Sequence, residues 1–327
     1  PNTLLLDMRF CDEIIEINAD DMYAIVGAGT TWKKLDEALR SFGLRAAFWG
    51  TGSGLHATVG GSLSQNAINY GSGKYGTAAE NVTGLKIILP NGKEIRTGSW
   101  ADKIHMRPFN RYYGPDLTGL FLGDNGAFGV KAEIALPLIL RPKATAFIAF
   151  AFESLTDYVA ALTEVGRNGI VSECFGFDQS FLAERSVPGG FAEDLDSMRS
   201  RLLDEFRTGM RKSNDSRSAT EIDRLRPFTA HMSVDCRDTF DLQNATALIN
   251  QICSRHRGMA INGEIIRAIR ESPFPPPEML LGVQGKRWVP MHGLIPFSSY
   301  KDLLIDIERF FKPRETQLQK DEISWSH

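Results

Sequence analysis

A chain of 327 residues has the length for two domains with sizeable cores, and its 43% hydrophobic and 24% charged residues fit an ordinary soluble protein. The formal net charge of −3 gives no support to a nucleic-acid partner or an anionic membrane surface. No apolar run is long enough to cross a bilayer; the longest, residues 134–140, is strand-sized and stops at Arg141-Pro142.

Cys11, Cys174, Cys236 and Cys253 are widely spaced. With no CxxC and no Cys/His ligand spacing, a structural metal is not expected, and dispersed thiols fit a reduced, cytoplasmic setting. The sequence opens on Pro1 and stops at Ser326-His327, which suggests a fragment missing both ends.

In chain order, residues 3–8, 12–18 and 22–26 are rich in Leu, Ile and Val and short enough for strands. Gly27-Ala28-Gly29-Thr30-Thr31-Trp32 then leads into residues 33–42, where Leu35, Ala38, Leu39 and Phe42 fall at helical spacing. Thr30 or Thr31 can cap that helix and Gly43 can end it. Strand, Gly-x-Gly, helix has the outline of a dinucleotide fingerprint, but Trp32 occupies the third glycine position and the acidic partner is missing, so a tight strand-to-helix turn is the better reading.

Residues 48–76 hold the densest glycine cluster, interleaved with Thr, Ser and Asn. Such a stretch suits close approach by an extended anionic ligand, through hydroxyls and free backbone N–H donors; a long surface loop is the competing reading. Two apolar runs, 82–89 and 94–97, flank Pro90-Asn91-Gly92-Lys93, a strong hairpin signal. Residues 100–113 are irregular and aromatic, 115–122 suggest a short helix, and a second glycine-rich turn, 123–130, feeds a strand through 140.

Arg141-Pro142-Lys143 marks the expected boundary between a domain of residues 1–142 and one of residues 143–327. Beyond it, 144–152 and 171–177 read as strands around a helix at 155–165, capped by Ser154 and ended by Gly166. Residues 191–212 form a long amphipathic pattern, followed by a polar linker to 226. A strand at 231–235, a helix at 240–257, a non-helical proline run at 273–277, a strand at 288–295 and a helix at 300–311 complete an α+β layer with helices on one sheet face.

The order of these blocks resembles the FAD domain of the vanillyl-alcohol oxidase / p-cresol methylhydroxylase (PCMH-type) superfamily. The blocks that carry it are Val26–Trp32, Thr58-Val59-Gly60-Gly61-Ser62-Leu63-Ser64-Gln65-Asn66-Ala67, Lys74-Tyr75-Gly76, Leu89-Pro90-Asn91-Gly92-Lys93 and Gly126-Ala127-Phe128-Gly129-Val130. The resemblance implies the second FAD subdomain followed by an incomplete ferredoxin-like cap, with the first subdomain absent. It places Thr58, Gly60, Gly61, Ser64 and Asn66 along the pyrophosphate and flavin, and Gly126, Gly129 and Val130 near the adenosine part. Trp49, Gly50 and Thr51 fall where the family also touches cofactor, and Tyr75 and Gly76 near the ring edge. A branched side chain at Gly60 or Gly61 is then expected to occupy space the cofactor needs. Where one branch keeps an acid after Tyr-Gly, this chain has Thr77, which weighs against that branch's phenol chemistry.

The implied activity is FAD-dependent oxidation of an alcohol, 2-hydroxy acid or phenolic substrate, by hydride transfer to flavin N5. Oxygen, a quinone or a cytochrome remains open as acceptor, and homo-oligomerisation is left open. Such a reaction needs a base near the hydroxyl. Of the six histidines, His292, in Arg287-Trp288-Val289-Pro290-Met291-His292-Gly293, is the best candidate, beside the reading of a structural histidine. Arg107, Arg111 and Arg287 are candidates for gripping a substrate carboxylate, and Tyr112 and Tyr113 for lining a pocket. Two alternatives stand beside this one: a catalytically incompetent FAD-fold module serving in binding or assembly, and a nicotinamide enzyme using the Gly27–Thr31 turn.

Overall fold

The computed structural model describes residues 6–104, 106–178, 227–276, 289, 293–321, 323 and 325. They fall into two units, one of residues 1–142 with 273–276 and one of residues 143–272 with 277–327.

The first unit is built on an antiparallel sheet of β1 (Ile14–Asn18), β2 (Tyr23–Gly27), β3 (Leu44–Ala46), β4 (Gly84–Ile88), β5 (Glu94–Arg96) and β6 (Val130–Leu140). The order is β1-β2-β6-β4-β5, with β3 paired to the far end of β6. Eleven residues long, β6 meets β2 from Tyr23↔Pro137 to Gly27↔Glu133 and β4 from Gly84↔Ala135 to Ile88↔Val130. Strand alternation sends Tyr23, Ile25 and Ala135 to one face, where Trp100 packs, and Ala24, Val26, Leu85, Ile134 and Leu136 to the other. The Asn-Gly hairpin forms as expected: Leu89 N–H donates to the Lys93 carbonyl (2.9 Å), and Gly92 takes φ +78°, which a glycine adopts without steric cost.

Helix α1 (Trp32–Arg40) starts where Thr31 Oγ1 accepts the Lys34 N–H, and its Trp32, Leu35 and Leu39 are buried. Residues 6–8, expected to continue a strand, are irregular, and 115–122 yields only a 3-10 turn at Gly119–Phe121. The Met8 carbonyl accepts the Cys11 N–H in a local turn, and the Cys11 carbonyl accepts from Gly29 rather than from a strand.

The second unit has strands β7 (Ala144–Phe152), β8 (Glu173–Asp178), β9 (Phe228–Cys236) and β10 (Met259–Ile261), all antiparallel, in the order β10-β7-β9-β8. In chain order the element sequence is β7, α4 (Leu155–Asn168), β8, β9, α5 (Thr239–Arg255), β10. First, second, third and fourth strands therefore lie in spatial order 4-1-3-2, the ferredoxin-like arrangement. Two short helices of the first unit, α2 (Val59–Ser64) and α3 (Ser72–Tyr75), precede α4 in the numbering.

Ile148, Phe150, Phe152, Ala230, Met232 and Val234 bury one sheet face against Val159, Val165, Ile249 and Ile252. Ser154 caps α4 as expected, but the helix runs to Asn168 and its left-handed terminator is Gly169, not Gly166. The opposite sheet face carries Thr229, His231, Ser233 and Asp235 at alternate positions of β9, all buried. Arg270, from helix α6 (Glu264–Glu271), reaches Asp235 at 3.1 Å and also pairs with Glu173. The helix expected at 191–212, the linker to 226, and Arg287 and His292 lie outside the described residues. Of the strand expected at 288–295, the described positions 289 and 293–295 are not extended into a sheet.

Candidate functional site

The glycine-rich stretch is not a loose loop but a layered one, and each glycine has its own reason. At the first layer, Gly27 N–H donates to the Glu13 carbonyl (2.9 Å) and Gly29 N–H to that of Cys11 (2.8 Å). A Cβ on Gly27 would sit 2.2 Å from the Cys11 carbonyl oxygen, and one on Gly29 1.9 Å from that of Met8. The Gly-x-Gly turn is thus glycine because the chain's own N-terminal segment crosses it, which fits a structural turn rather than a dinucleotide cradle.

Short helix α2 sits on that turn. Thr58 Oγ1 accepts the Gly61 N–H (3.2 Å), Val59 N–H donates to Thr30 (2.8 Å) and Gly60 N–H to Ala28 (2.9 Å). These three amides serve the chain itself, which corrects the expectation that the stretch offers them to a ligand. The two adjacent glycines also separate. A Cβ on buried Gly60 would lie 2.8 Å from Ala28 Cβ, whereas exposed Gly61 would meet only Thr58 Oγ1, at 3.2 Å. Gly61 therefore presents bare backbone outward; Gly60 is small because Ala28 packs on it.

Trp49 and Tyr70 are buried and stacked, with centroids 4.6 Å apart, and the loop closes through Trp49 N–H to Tyr70 O (3.2 Å) and Tyr70 N–H to Gly50 O (3.1 Å). Thr51 Oγ1 and Ser53 Oγ lie 3.0 Å apart at the loop's partly exposed tip. Trp49 is thereby a packing residue, and Thr51 is the position in this trio with a polar group at the surface.

The Tyr75-Gly76 pair ends α3, and Gly76 has φ +80°. Its bareness is needed, because a Cβ would fall 2.1 Å from Glu80 Oε2. That carboxylate accepts the Thr77 N–H (2.7 Å) and the Thr77 hydroxyl (3.2 Å). Thr77 is thus a cap residue, and the acid associated with Tyr-Gly-Thr comes from three residues later. The signal in the sequence is the Thr-x-x-Glu spacing of a capping box.

The second glycine turn joins α2 directly. Gly123 N–H donates to Leu63 O (2.9 Å), Asn125 N–H to Ser64 O (3.0 Å), and Gln65 Nε2 to Asn125 Oδ1 (2.8 Å). Asn66, in the left-handed region at φ +48°, accepts the Ala79 N–H on Oδ1 (3.1 Å). Thr58, Gly61, Ser64, Asn66 and Gly126 therefore belong to one hydrogen-bonded assembly. Gly126 is exposed at φ +76° with open space around it. Gly129 is buried, and its absent Cβ would lie 2.5 Å from Ile87 Cγ2, so it and Val130 start the sheet rather than face outward. Asp124 braces the turn by accepting from Gly126 N–H (3.0 Å) and Lys131 Nζ (2.6 Å). Burial works against the Asp124 charge, but Lys131 and the amides of Gly126 and Phe128 outweigh it and hold its carboxyl below the usual range.

The other candidates are engaged or elsewhere. Arg111 pairs with Asp116 (2.8 Å) and donates to Ala79 O (2.7 Å); Arg107 pairs with Asp21 (2.9 Å); Tyr112 and Tyr113 are exposed. Neither arginine is an unpaired carboxylate grip. His256 bonds Glu164 (2.8 Å), and fully buried His231, whose Nε2 lies 3.1 Å from Thr229 Oγ1, is pushed by burial down to about 4. Among the described residues there is no group of His, Cys, Asp and Glu able to hold a metal.

Residues 1–98 match the family described as FAD binding domain. The match takes in less than a third of the chain. The chain is 27% identical over 170 residues to a mitochondrial D-lactate dehydrogenase [cytochrome] 1 of Saccharomyces cerevisiae, covering 52% of this chain and 27% of that protein. It is 32% identical over 152 residues to the mitochondrial D-lactate dehydrogenase [cytochrome] of Arabidopsis thaliana (46% and 25%), and 27% identical over 164 residues to glycolate oxidase subunit GlcD of Bacillus subtilis (50% and 33%). The chain thus spans about a quarter to a third of the length of these curated relatives. Its fold matches alkyldihydroxyacetonephosphate synthase at TM-score 0.60 (17% identity, 84% of this chain, 46% of that one). It also matches p-cresol methylhydroxylase with substrate bound at 0.57 (15% identity, 79% and 48%). The PCMH-type fold is therefore established, and the residues present are compatible with FAD: exposed backbone at Gly61 and Gly126, with the hydroxyl and amide side chains of Thr58, Ser64 and Asn66 in the same assembly.

Proposed function

We propose that the chain is the FAD-binding and cap portion of an oxidoreductase that dehydrogenates a small 2-hydroxy acid. The observation that carries this reading is the joined assembly of α2 and the Gly123–Gly129 turn, within a fold whose first 98 residues match an FAD binding domain. The names of the relatives, D-lactate dehydrogenases and a glycolate oxidase subunit, favour a 2-hydroxy acid over the phenolic alternative, in keeping with Thr77. They disfavour a module without catalysis.

FAD, when bound, supplies the hydride acceptor for the carbinol carbon. The chain's own part is to bind and orient. Gly61 and Gly126 would let the cofactor approach the backbone, Thr58, Ser64 and Asn66 would line it with polar side chains, and Tyr75 and Gly76 would close one edge. His292 remains the proposed proton acceptor for the substrate hydroxyl. Of the alternatives, His231 is sealed from solvent and His256 is held by Glu164.

Purified protein supplied with FAD should take on flavin absorbance and bleach anaerobically with D-lactate or glycolate. Cytochrome c reduction against peroxide formation then distinguishes the acceptors. Protein that takes up no FAD overturns the proposal; flavin that binds but is bleached by a para-alkylphenol and not by either acid replaces the substrate class.

A further inference from the structure

The short run Pro273-Phe274-Pro275-Pro276 comes more than 130 residues after the boundary at Pro142, yet it belongs to the first unit. Phe274 is set edge-on to the stacked pair Trp49 and Tyr70, with centroids at 5.9 Å and 6.3 Å and interplanar angles of 75° and 79°. That is the favourable T-shaped geometry for aromatic rings. Two glycines lie against it. A Cβ on Gly54 would lie 2.5 Å from Phe274 Cδ1, and one on Gly50 would lie 3.1 Å from its Cε1. Gly54 therefore makes room for a ring supplied from far along the sequence, whereas a Cβ on Gly50 would meet Trp32 Cβ first, at 2.7 Å.

The three prolines matter as well. Each fixes its φ near −65°, so the run has few unfolded conformations to lose when Phe274 docks. The loop's tip, Thr51 to Ser53, stays polar and partly exposed.

We propose that Phe274 is a positioning residue for FAD: the proline strap holds the Trp49–Gly54 loop in its cofactor-receiving shape from behind. This rests on the reading of Thr51 and the exposed tip of its loop as part of the cofactor bed. The strap touches no cofactor atom. It acts through Trp49 and Gly54, by removing the conformational freedom the loop would otherwise give up on binding.

The test compares full-length wild type with Phe274→Ala, Phe274→Tyr and a packing control, Ile25→Val, in the sheet core away from the loop. FAD affinity is read by quenching of flavin fluorescence, and backbone order by hydrogen exchange at Trp49, Gly54 and Tyr70. F274A should weaken FAD by about tenfold or more and accelerate exchange at those amides, while F274Y and I25V stay within about twofold of wild type. Unchanged exchange in F274A, equal FAD affinity in F274A and wild type, or equal weakening by F274A and I25V would each overturn the proposal. A wild type that binds no FAD would instead overturn the cofactor reading on which it rests, and exchange at the three amides would still report whether the strap orders the loop.

Discussion

Lys131 Nζ meets Asp124 Oδ1 at 2.6 Å with the two side chains 3% and 1% exposed, an ion pair sealed beneath the second glycine turn. Strand β6 supplies the lysine and the turn the aspartate, so the sheet fixes the turn that leads into it. Because Asp124 also accepts the Gly126 and Phe128 amides, the pair passes sheet rigidity on to an exposed loop.

Removing one partner should therefore cost far more than removing both. Lys131→Met leaves a buried carboxylate without its cation and is expected to lose about 3–5 kcal/mol in urea unfolding, whereas the double variant with Asp124→Asn should recover a large part. The pH sign follows from the lowered Asp124 carboxyl. Its stabilisation is present above the unfolded carboxylate range and is lost as pH falls through the folded value. In K131M that value should move up, so the acid-side loss begins at higher pH. Equal stability of the single and double variants would remove the argument.

Most of this framework was legible in the sequence because it rests on local chemistry. Thr31, Ser154, the Asn91-Gly92 hairpin and the alternation in β6 and β7 each announce themselves within a few residues. What stayed hidden were partners distant in sequence. Cys11 and Met8 explain Gly27 and Gly29, Ala28 explains Gly60, and Phe274 explains Gly54, yet no local pattern connects those pairs. Glycines alone could not say whether chain or ligand fills the space beside them. Gly60 and Gly129 therefore look like Gly61 and Gly126 in the sequence, although packing separates them.

His231 gives the second unit a pH dependence of its own. Burial pushes the imidazole from its ordinary 6.5 to about 4, so the unfolded chain binds the proton first. Stability should be full above about pH 6.5 and decline by up to about 1.4 kcal/mol per pH unit between there and pH 4. Replacing His231 with Phe should flatten that part of the profile, read by thermal or urea unfolding through circular dichroism. A slope that persists unchanged in H231F would assign the effect to other groups.

The Thr77–Glu80 cap predicts a local effect. Glu80→Ala removes the acceptor for both the Thr77 amide and hydroxyl and should cost about 1 kcal/mol. Hydrogen exchange at Thr77 should quicken. If Glu80 also shapes the ring edge beside Gly76, the flavin absorption maximum should move in E80A and return with Glu80→Gln, which keeps an acceptor for the same donors.

The adjacent pair Gly60 and Gly61 offers the sharpest separation of folding from binding. Gly60→Ala drives a methyl to 2.8 Å from Ala28 Cβ and 2.9 Å from its carbonyl oxygen, so it should destabilise the first unit by about 1–3 kcal/mol whether or not flavin is present. Gly61→Ala asks only that Thr58 Oγ1 give slightly, and alanine favours the helix by up to about 1 kcal/mol, so apo stability should hold or rise. Gly61→Val should likewise fold, while its branched side chain projects over the outward backbone. FAD retention after gel filtration should then fall from wild type through G61A to G61V. Full flavin content in folded G61V would mean that this backbone faces solvent rather than cofactor.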